Sequence, residues 1–296
     1  MRILVAIDGR EYSLEAARFL NHLDLTQEDE IRLLHVINFV PLLHEVQDYS
    51  EVIYTIKQEV APKILDEALE VLKPLNVSIT TSIAEGDVVE EIIRASEEGE
   101  CDLIVVGSKG LRGLKSILIG SVARDVVSKA TLPVLVIRQK QWDIKGRLKI
   151  LFATDGSEYA DSTAEVLQRI PFPIDTEITI LHVVQSAIHD IPERFYIEID
   201  DRMKDVVAEI RQKEFSESSR ILDRATKILS DRYSNLRPLT KVGDPSTEIL
   251  SFAENTDVDI IVTGCRGHKG IRGLLGSVSR DIMRYASMSV LIVKRC

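Results

Sequence analysis

The sequence predicts an α/β protein made of two tandem, doubly wound parallel-sheet domains. Three observations support this fold class. Short apolar runs alternate with segments whose apolar residues recur at helical spacing, as in βα units that pack into a parallel sheet. The pattern of the first half restarts after residue 147. In both halves a basic, glycine-rich loop follows the fourth apolar run, which indicates a repeated fold.

Length and composition narrow the class of protein. The 296 residues, 45% of them hydrophobic, suffice for about two domains with their own cores. The formal net charge of -10 argues against a nucleic acid or an anionic membrane as the main partner, because both require a basic surface. Residues 1–8 reach an acid too early for a signal peptide, and no apolar run approaches the roughly 20 residues of a membrane span. We therefore expect a soluble, cytoplasmic protein.

The first half predicts five strands with helices between them. Its first strand is apolar without alternation, which is typical of a strand that is covered on both faces. Pro62 is expected to kink or restart the second helix, and Asp87 is a candidate N-cap. The predicted strands are 2–8, 31–37, 77–84, 103–106 and 133–137, and the predicted helices are 12–22, 51–73, 88–96 and 121–130.

The second half repeats this order after a polar linker, 139–147, so the predicted domains are 1–140 and 147–296. Corresponding residues are 147 positions apart at Asp8 and Asp155 (155 minus 8). At the first glycines of the loops the separation is 157 (264 minus 107), which requires ten inserted residues before the second loop. At the last glycines it is 156 (276 minus 120), so the second loop is one residue shorter.

The two glycine loops, 107–121 and 264–277, are candidate anion sites. Each lies between a strand and a helix, where free backbone N–H groups and the positive end of the helix dipole favour an anion. Both contain lysine or arginine and no acid, although the chain is acidic, and this suits a polyphosphate. Gly107 and Gly110 permit positive φ and close approach of a ligand. A glycine-rich turn with solvated lysines is the alternative for one loop alone, but repetition favours a ligand site.

Further candidates end the first and second strands of each half. In an open α/β sheet the ligand lies at the carboxyl ends of the strands, where the winding reverses. Asp8 and Asp155 are suited to a ribose hydroxyl or a magnesium ion, and the alternative is that they cap the following helix. Val36 and Val183 are suited to border a base.

Histidine and cysteine receive no functional role. His35 and His182 recur inside strands, where a packed residue is expected. The spacing of the three cysteines indicates neither a disulfide framework nor a zinc site. Cys265 lies in the second glycine loop, and we expect it to fill a loop position rather than act as a thiol switch.

Gly107-x2-Gly110-x9-Gly120-Ser121, with Asp8-Gly9, Leu34-His35-Val36 and Glu85-Gly86-Asp87, resembles the ATP-binding type of universal stress protein. The resemblance covers essentially the whole chain as two copies. It implies a five-stranded parallel sheet in each copy, like that of adenine-nucleotide α/β hydrolases, and ATP, ADP or AMP held by the glycine loop with or without Mg²⁺. By position, the residues around adenosine are Ala6, Ile7, Asp8 and Val36, and in the second copy Ala153, Thr154, Asp155 and Val183. Those at the phosphates are Gly107, Gly110, Gly120, Ser121 and Val122, and in the second copy Gly264, Gly267, Gly276, Ser277 and Val278. Lys109 and Arg266, the cations of the two loops, are further candidate ligand residues.

The resemblance implies a nucleotide-binding regulatory protein of the stress response, with no catalytic residues and no resident metal assigned. One alternative is a slow ATP hydrolase or an adenylyl-transferring enzyme. The sequence offers no G-x4-G-K-[ST] loop, no serine nucleophile at a strand-to-helix turn and no acid cluster for two metals. Another alternative is a structural pairing module with vestigial sites.

Two departures from symmetry predict that the sites are unequal. Eight residues rather than nine separate Gly267 from Gly276, which is expected to shift one of these glycines by up to ~3.5 Å. The first site is therefore expected to bind ATP more tightly, although Arg10 replaces the serine found at Ser157.

We also expect the two halves to pair through their last strands, 133–137 and 289–293, which would otherwise be apolar sheet edges. A homodimer of whole chains and an unidentified protein partner remain open.

Overall fold

The computed structural model describes residues 1–38, 49–108, 119–138, 147–186, 201–267 and 275–294. Strands and helices alternate along the chain, as predicted. The strands are β1 Arg2–Ala6, β2 Glu30–Asn38, β3 Ser78–Gly86, β4 Leu103–Gly107, β5 Val134–Ile137, β6 Lys149–Ala153, β7 Glu177–Val184, β8 Leu236–Val242, β9 Ile260–Gly264 and β10 Ser289–Val293. The α-helices are α1 Glu11–Phe19, α2 Tyr49–Thr55, α3 Ala61–Leu72, α4 Val88–Glu98, α5 Ser121–Lys129, α6 Glu158–Arg169, α7 Asp201–Leu229, α8 Pro245–Asn255 and α9 Ser277–Tyr285.

The first compact unit comprises Met1–Lys145, Ile170–Pro173 and Ser287–Lys294. Its strand order is β3-β2-β1-β4-β5-β10, and β1 to β5 run parallel. Ile3, Leu4 and Val5 of β1 are each no more than 1% exposed, so this strand is covered on both faces. The winding reverses between β1 and β4, which places the ends of these strands at the expected switch point.

The second unit consists mainly of Gly146–Arg169 and Ile174–Ala286. Its parallel strands have the order β9-β6-β7-β8, and its winding reverses between β6 and β9. The α/β fold with a mostly parallel sheet is therefore confirmed. The last strand of the second half, β10, packs instead within the first unit, antiparallel to β5. All five of its residues are buried there, because an apolar strand gains from having its edge covered.

The long helical region of the first half is interrupted where the sequence predicts it. Helix α2 is followed by a π-helical turn, Ile56–Val60, and α3 begins at Ala61 with Pro62 in its first turn. Proline fits there because the first N–H groups of a helix have no intrahelical partner. In the second half α7 runs for 29 residues. In the part of the chain that the structure describes, no helix is both long and apolar enough to cross a membrane.

Candidate functional site

Asp8 lies just beyond the carboxyl end of β1, at the switch point of the first sheet. Its carboxylate accepts a hydrogen bond of 3.1 Å from the Arg10 backbone N–H, and its second oxygen lies 3.8 Å from Arg10 Nε. Arg10 is itself the N-cap residue of α1, and the side chain of this residue makes no capping bond. Asp8 therefore stabilises the turn before α1 rather than capping the helix. Its side chain remains 41% exposed at the sheet edge.

Asp155 occupies the corresponding turn after β6. Its Oδ1 accepts hydrogen bonds from Ser157 N–H at 3.0 Å and from Ser157 Oγ at 2.6 Å. The Ser157 hydroxyl oxygen in turn accepts the Ala160 N–H at 3.3 Å, so Ser157 caps α6. A Cβ added at Gly267 would overlap Asp155 Oδ2. The structure thus brings the first-strand aspartate of the second half against its glycine loop, as the sequence predicts.

Glycine is required at position 107 because the first turn of α1 packs closely against it. A Cβ there would lie 2.6 Å from the carbonyl carbon and oxygen of Tyr12, in the first turn of α1. Gly107 is not among the described residues with positive φ, so the expected conformational role at this position is wrong. At Gly264 the nearest atom to an added Cβ is the Thr163 Oγ1, at 2.9 Å. The first glycine of each loop therefore lets the first helix of its half approach the end of the fourth strand.

The last glycines of the two loops, Gly120 and Gly276, make the same backbone hydrogen bond to the end of the fourth strand. Gly120 N–H donates to the carbonyl of Ser108 at 2.7 Å, and Gly276 N–H donates to that of Cys265 at 2.8 Å. Their backbone angles are also close, at φ -67° and ψ 155° for Gly120 and φ -59° and ψ 160° for Gly276. The missing residue does not move the start of α9 relative to β9, so a shift at Gly276 is not found.

Helices α5 and α9 begin at Ser121 and Ser277 without a side-chain hydrogen bond from the N-cap residue. Their N-cap residues are glycines, which have no side chain to accept a hydrogen bond, and neither helix has an acid in its first turn. The neighbouring helix α4 differs, because Asp87 accepts the N–H groups of Val89 and Glu90, each at 3.0 Å. Ser121 and Ser277 are exposed, and the valines that follow them are half-buried. Both helix starts therefore offer N–H groups and a positive dipole end to an anion.

Arg266 is a buried cation of the second loop. Its residue is 8% exposed, and within the described residues its Nε has no hydrogen-bond partner. The guanidinium carbon lies 5.6 Å from the centre of the Tyr159 ring. Its counterpart in the first loop is Lys109 (266 minus 157), and Lys109 and Gly110 lie outside the described residues.

The residues expected around adenosine lie at the ends of the first two strands of each half. The second strand continues to pair with them, since Ile7 N–H donates to Leu34 O at 2.8 Å and Thr154 N–H donates to Leu181 O at 3.0 Å. Ile7, Ala153 and Thr154 are no more than 8% exposed. Ala6, Val36 and Val183 are half-buried and so retain some access to solvent.

The two strand histidines have a structural role that sequence reasoning missed. His35 Nδ1 lies 2.8 Å from Ile7 O, and His182 Nδ1 lies 2.9 Å from Thr154 O. A carbonyl oxygen only accepts, so each Nδ1 carries the hydrogen and ties the second strand to the end of the first. Their recurrence at a separation of 147 (182 minus 35) was the available signal.

The described residues give the state of two cysteines and the placement of side chains that could bind a metal. Among them, no group of three or more histidine, cysteine, aspartate or glutamate side chains is placed to hold a metal ion. Cys101 is a buried free thiol, and burial raises its pKa above the ordinary value. Cys265 is buried and disulfide-bonded, so the expectation drawn from cysteine spacing is wrong at this position. Spacing along the chain does not reveal which cysteines meet in the fold.

Comparison with known proteins matches both halves to one family. The sequence profile of the Universal stress protein family matches residues 1–138 and again 146–294. Universal stress protein YxiE of Bacillus subtilis is 36% identical over 145 residues, which are 46% of this chain and 98% of YxiE. The crystal structure of a universal stress protein from Archaeoglobus fulgidus covers 100% of this chain and 98% of its own, at 24% identity and a TM-score of 0.66. A universal stress protein solved in complex with cAMP covers 51% of this chain, at 19% identity and a TM-score of 0.36.

Proposed function

The chain belongs to the universal stress protein family, and we propose that it is a stress-response regulatory member that binds ATP or a related adenine nucleotide. Two domains, 1–140 and 147–296, would each carry a site at the carboxyl edge of their parallel strands. The observation that carries the proposal is the pair of uncapped helix starts at α5 and α9, each held by its last glycine to the end of the fourth strand. Such a start binds phosphate without any side-chain catalyst.

The phosphate end of the proposed site combines backbone donors with positive charge. Phosphate oxygens would accept the N–H groups of the first turn, together with the exposed hydroxyl of Ser121 or Ser277. In the second half the buried Arg266, whose Cα lies 3.7 Å from where a Cβ of Gly276 would stand, would supply the positive charge. In the first half, Lys109 and Gly110 are proposed to act at the corresponding positions.

The ribose end would use the aspartates of the first turns. Asp8 has an exposed carboxylate at the end of β1, and carboxylates accept hydrogen bonds from the two hydroxyls of a ribose. Asp155 is held by Ser157 through Oδ1 and meets Gly267 at Oδ2, so ligand and loop would share this carboxylate. The half-buried Val36 and Val183 would border the base. Magnesium, if it accompanies ATP, would be held mainly by phosphate oxygens.

The nucleotide is proposed to act as a signal rather than as the substrate of an efficient enzyme. The strand histidines are engaged with backbone carbonyls, and Ser157 caps a helix. These contacts give each of the three side chains a structural role, and we assign none of them a catalytic one. A regulatory protein of this kind would act in the cytoplasm by changing a partner surface or its own assembly.

Incubation with ATP and Mg²⁺, followed by desalting and analysis of the retained nucleotide, tests the proposal. We expect ATP to be retained with fewer than about one turnover per site during the incubation. Turnover of many equivalents would instead establish a hydrolase or transferase. A protein that retains no nucleotide, even at millimolar ATP, would be a pairing module with vestigial sites.

The two domains are further proposed to associate through their last strands. The antiparallel pairs Val290–Val136 and Leu291–Leu135 inside the first unit support this, as does the bond from Arg138 N–H to Ser289 Oγ at 3.2 Å. After proteolysis at a cleavage site engineered into the linker, 139–147, we expect the two halves to co-elute in size-exclusion chromatography. Separate elution of two stable fragments would exclude the pairing. Association of whole chains into a homodimer would appear in the same experiment as a doubled mass before cleavage.

A further inference from the structure

Arg266 lies between the two ends of the proposed second site. Its Cα is 3.7 Å from where a Cβ of Gly276 would stand, at the start of α9. The next residue, Gly267, lies against the carboxylate of Asp155. The buried guanidinium therefore belongs to a residue that is flanked by the phosphate-side helix start and by the ribose-side aspartate.

The charge of Arg266 is incompletely compensated by the described residues. A buried arginine ordinarily pairs with a carboxylate, because an unpaired charge is costly to remove from water. Here the Nε has no hydrogen-bond partner within the described residues. The favourable contact that the structure gives the guanidinium is the face of Tyr159, at 5.6 Å. An aromatic ring stabilises a cation without neutralising it, so the charge remains available to an anion.

Tyr159 is held firmly enough to serve as a platform. It lies in the first turn of α6, where its carbonyl oxygen accepts the Thr163 hydroxyl at 2.7 Å. The same carbonyl oxygen is 3.6 Å from where a Cβ of Gly264 would stand, so this turn packs against the end of β9. The ring and the loop that carries Arg266 are thus attached to the same strand end.

We infer that Tyr159 is a positioning residue that holds the Arg266 guanidinium for the phosphate of a ligand. This inference rests on the proposed function and names what the second site selects. The site takes phosphorylated adenosine and discriminates against the uncharged nucleoside, because a pre-placed buried cation is stabilised by an anion and gains nothing from adenosine. Tyr159 acts through Arg266 and need not touch the ligand.

The test measures the dissociation constants of ATP and adenosine by competition with a fluorescent ATP analogue. The parent for these variants is the full chain with Gly120→Val, in which only the second site is expected to bind nucleotide. We expect Arg266→Gln to weaken ATP binding about 10–30-fold and adenosine binding less than about twofold, because a charge-assisted contact is lost. We expect Tyr159→Leu to weaken ATP binding about 5–10-fold, and Tyr159→Phe to stay within about twofold of the parent because it keeps the ring.

Arg266→Lys is the matched control for charge. It keeps the cation but lacks the planar guanidinium, so its ATP affinity should fall between those of the parent and Arg266→Gln. If Tyr159→Leu does not fold, the ATP affinities of the parent, Arg266→Lys and Arg266→Gln still test whether the guanidinium binds the phosphate. Equal ATP affinity in Tyr159→Leu and Tyr159→Phe, or parallel weakening of ATP and adenosine in Arg266→Gln, would overturn the inference. A parent that binds no ATP analogue at any concentration would overturn the proposed function of the second site itself, and the inference with it.

Discussion

Gly120→Val is expected to abolish ATP binding at the first site, and Gly276→Val at the second, with the fold retained in both. A valine side chain at the helix start occupies the volume in which phosphate oxygens would meet the backbone donors. The extended backbone at both glycines is accessible to valine. Among the described residues, the atom nearest to a Cβ added at Gly276 is Cys265 O, at 3.6 Å, which is an ordinary contact.

Isothermal titration calorimetry with ATP separates the two sites. Each valine variant should lose one binding event, with affinity reduced at least about 100-fold at the mutated site. Ser121→Ala is the mild comparison, since it removes one hydroxyl bond worth about 1 kcal/mol and leaves the backbone donors in place. We expect Gly120→Val to remove the tighter event, because the second loop has one residue fewer between Gly267 and Gly276. ATP affinity equal to wild type in either variant would remove that helix start from the site.

Gly107→Ala is expected to destabilise the first unit by about 2–3 kcal/mol, because the new Cβ is forced against protein atoms that cannot rotate away. The atoms it meets, at 2.6 Å, belong to the Tyr12 backbone. In Gly264→Ala the nearest atom is the Thr163 hydroxyl, so the cost should be smaller, about the value of its bond to Tyr159, near 1 kcal/mol.

Urea unfolding followed by circular dichroism measures these changes. Gly276→Ala is the matched control, because its Cβ has room, and its stability should stay within about 0.5 kcal/mol of wild type. If Gly107→Ala unfolded at the same urea concentration as Gly276→Ala, the packing of α1 against the end of β4 would not be the reason for glycine at this position.

The repeated order of strands and helices could be predicted because it depends on local periodicity. Pro62 marked the break before α3, and Asp87 marked the start of α4, since both act through their own backbone neighbours. The glycine spacing likewise marked the two helix starts. These features need no knowledge of distant contacts.

Features that depend on tertiary packing were missed. The sequence did not indicate that Gly107 packs against the first turn of α1, and its place in the ligand site stays a prediction. The apolar pattern predicted that strands 133–137 and 289–293 pair, and β5 and β10 do lie side by side, but it did not indicate that β10 belongs to the first compact unit. The burial of Arg266 against Tyr159 joins residues 107 positions apart (266 minus 159). The number of residues in the second loop could not show that Gly276 makes the same backbone hydrogen bond as Gly120.

Titration of the wild-type protein with ATP tests the central claim most directly. The nucleotide-free chain is prepared by unfolding, removal of any released nucleotide and refolding, and binding is then followed by calorimetry. We predict saturable binding that approaches two ATP molecules per chain, with adenosine binding more weakly than ATP because it lacks the phosphates that the helix starts and Arg266 would hold. The absence of saturable heat up to millimolar ATP, in protein whose circular dichroism matches the untreated sample, would contradict the account.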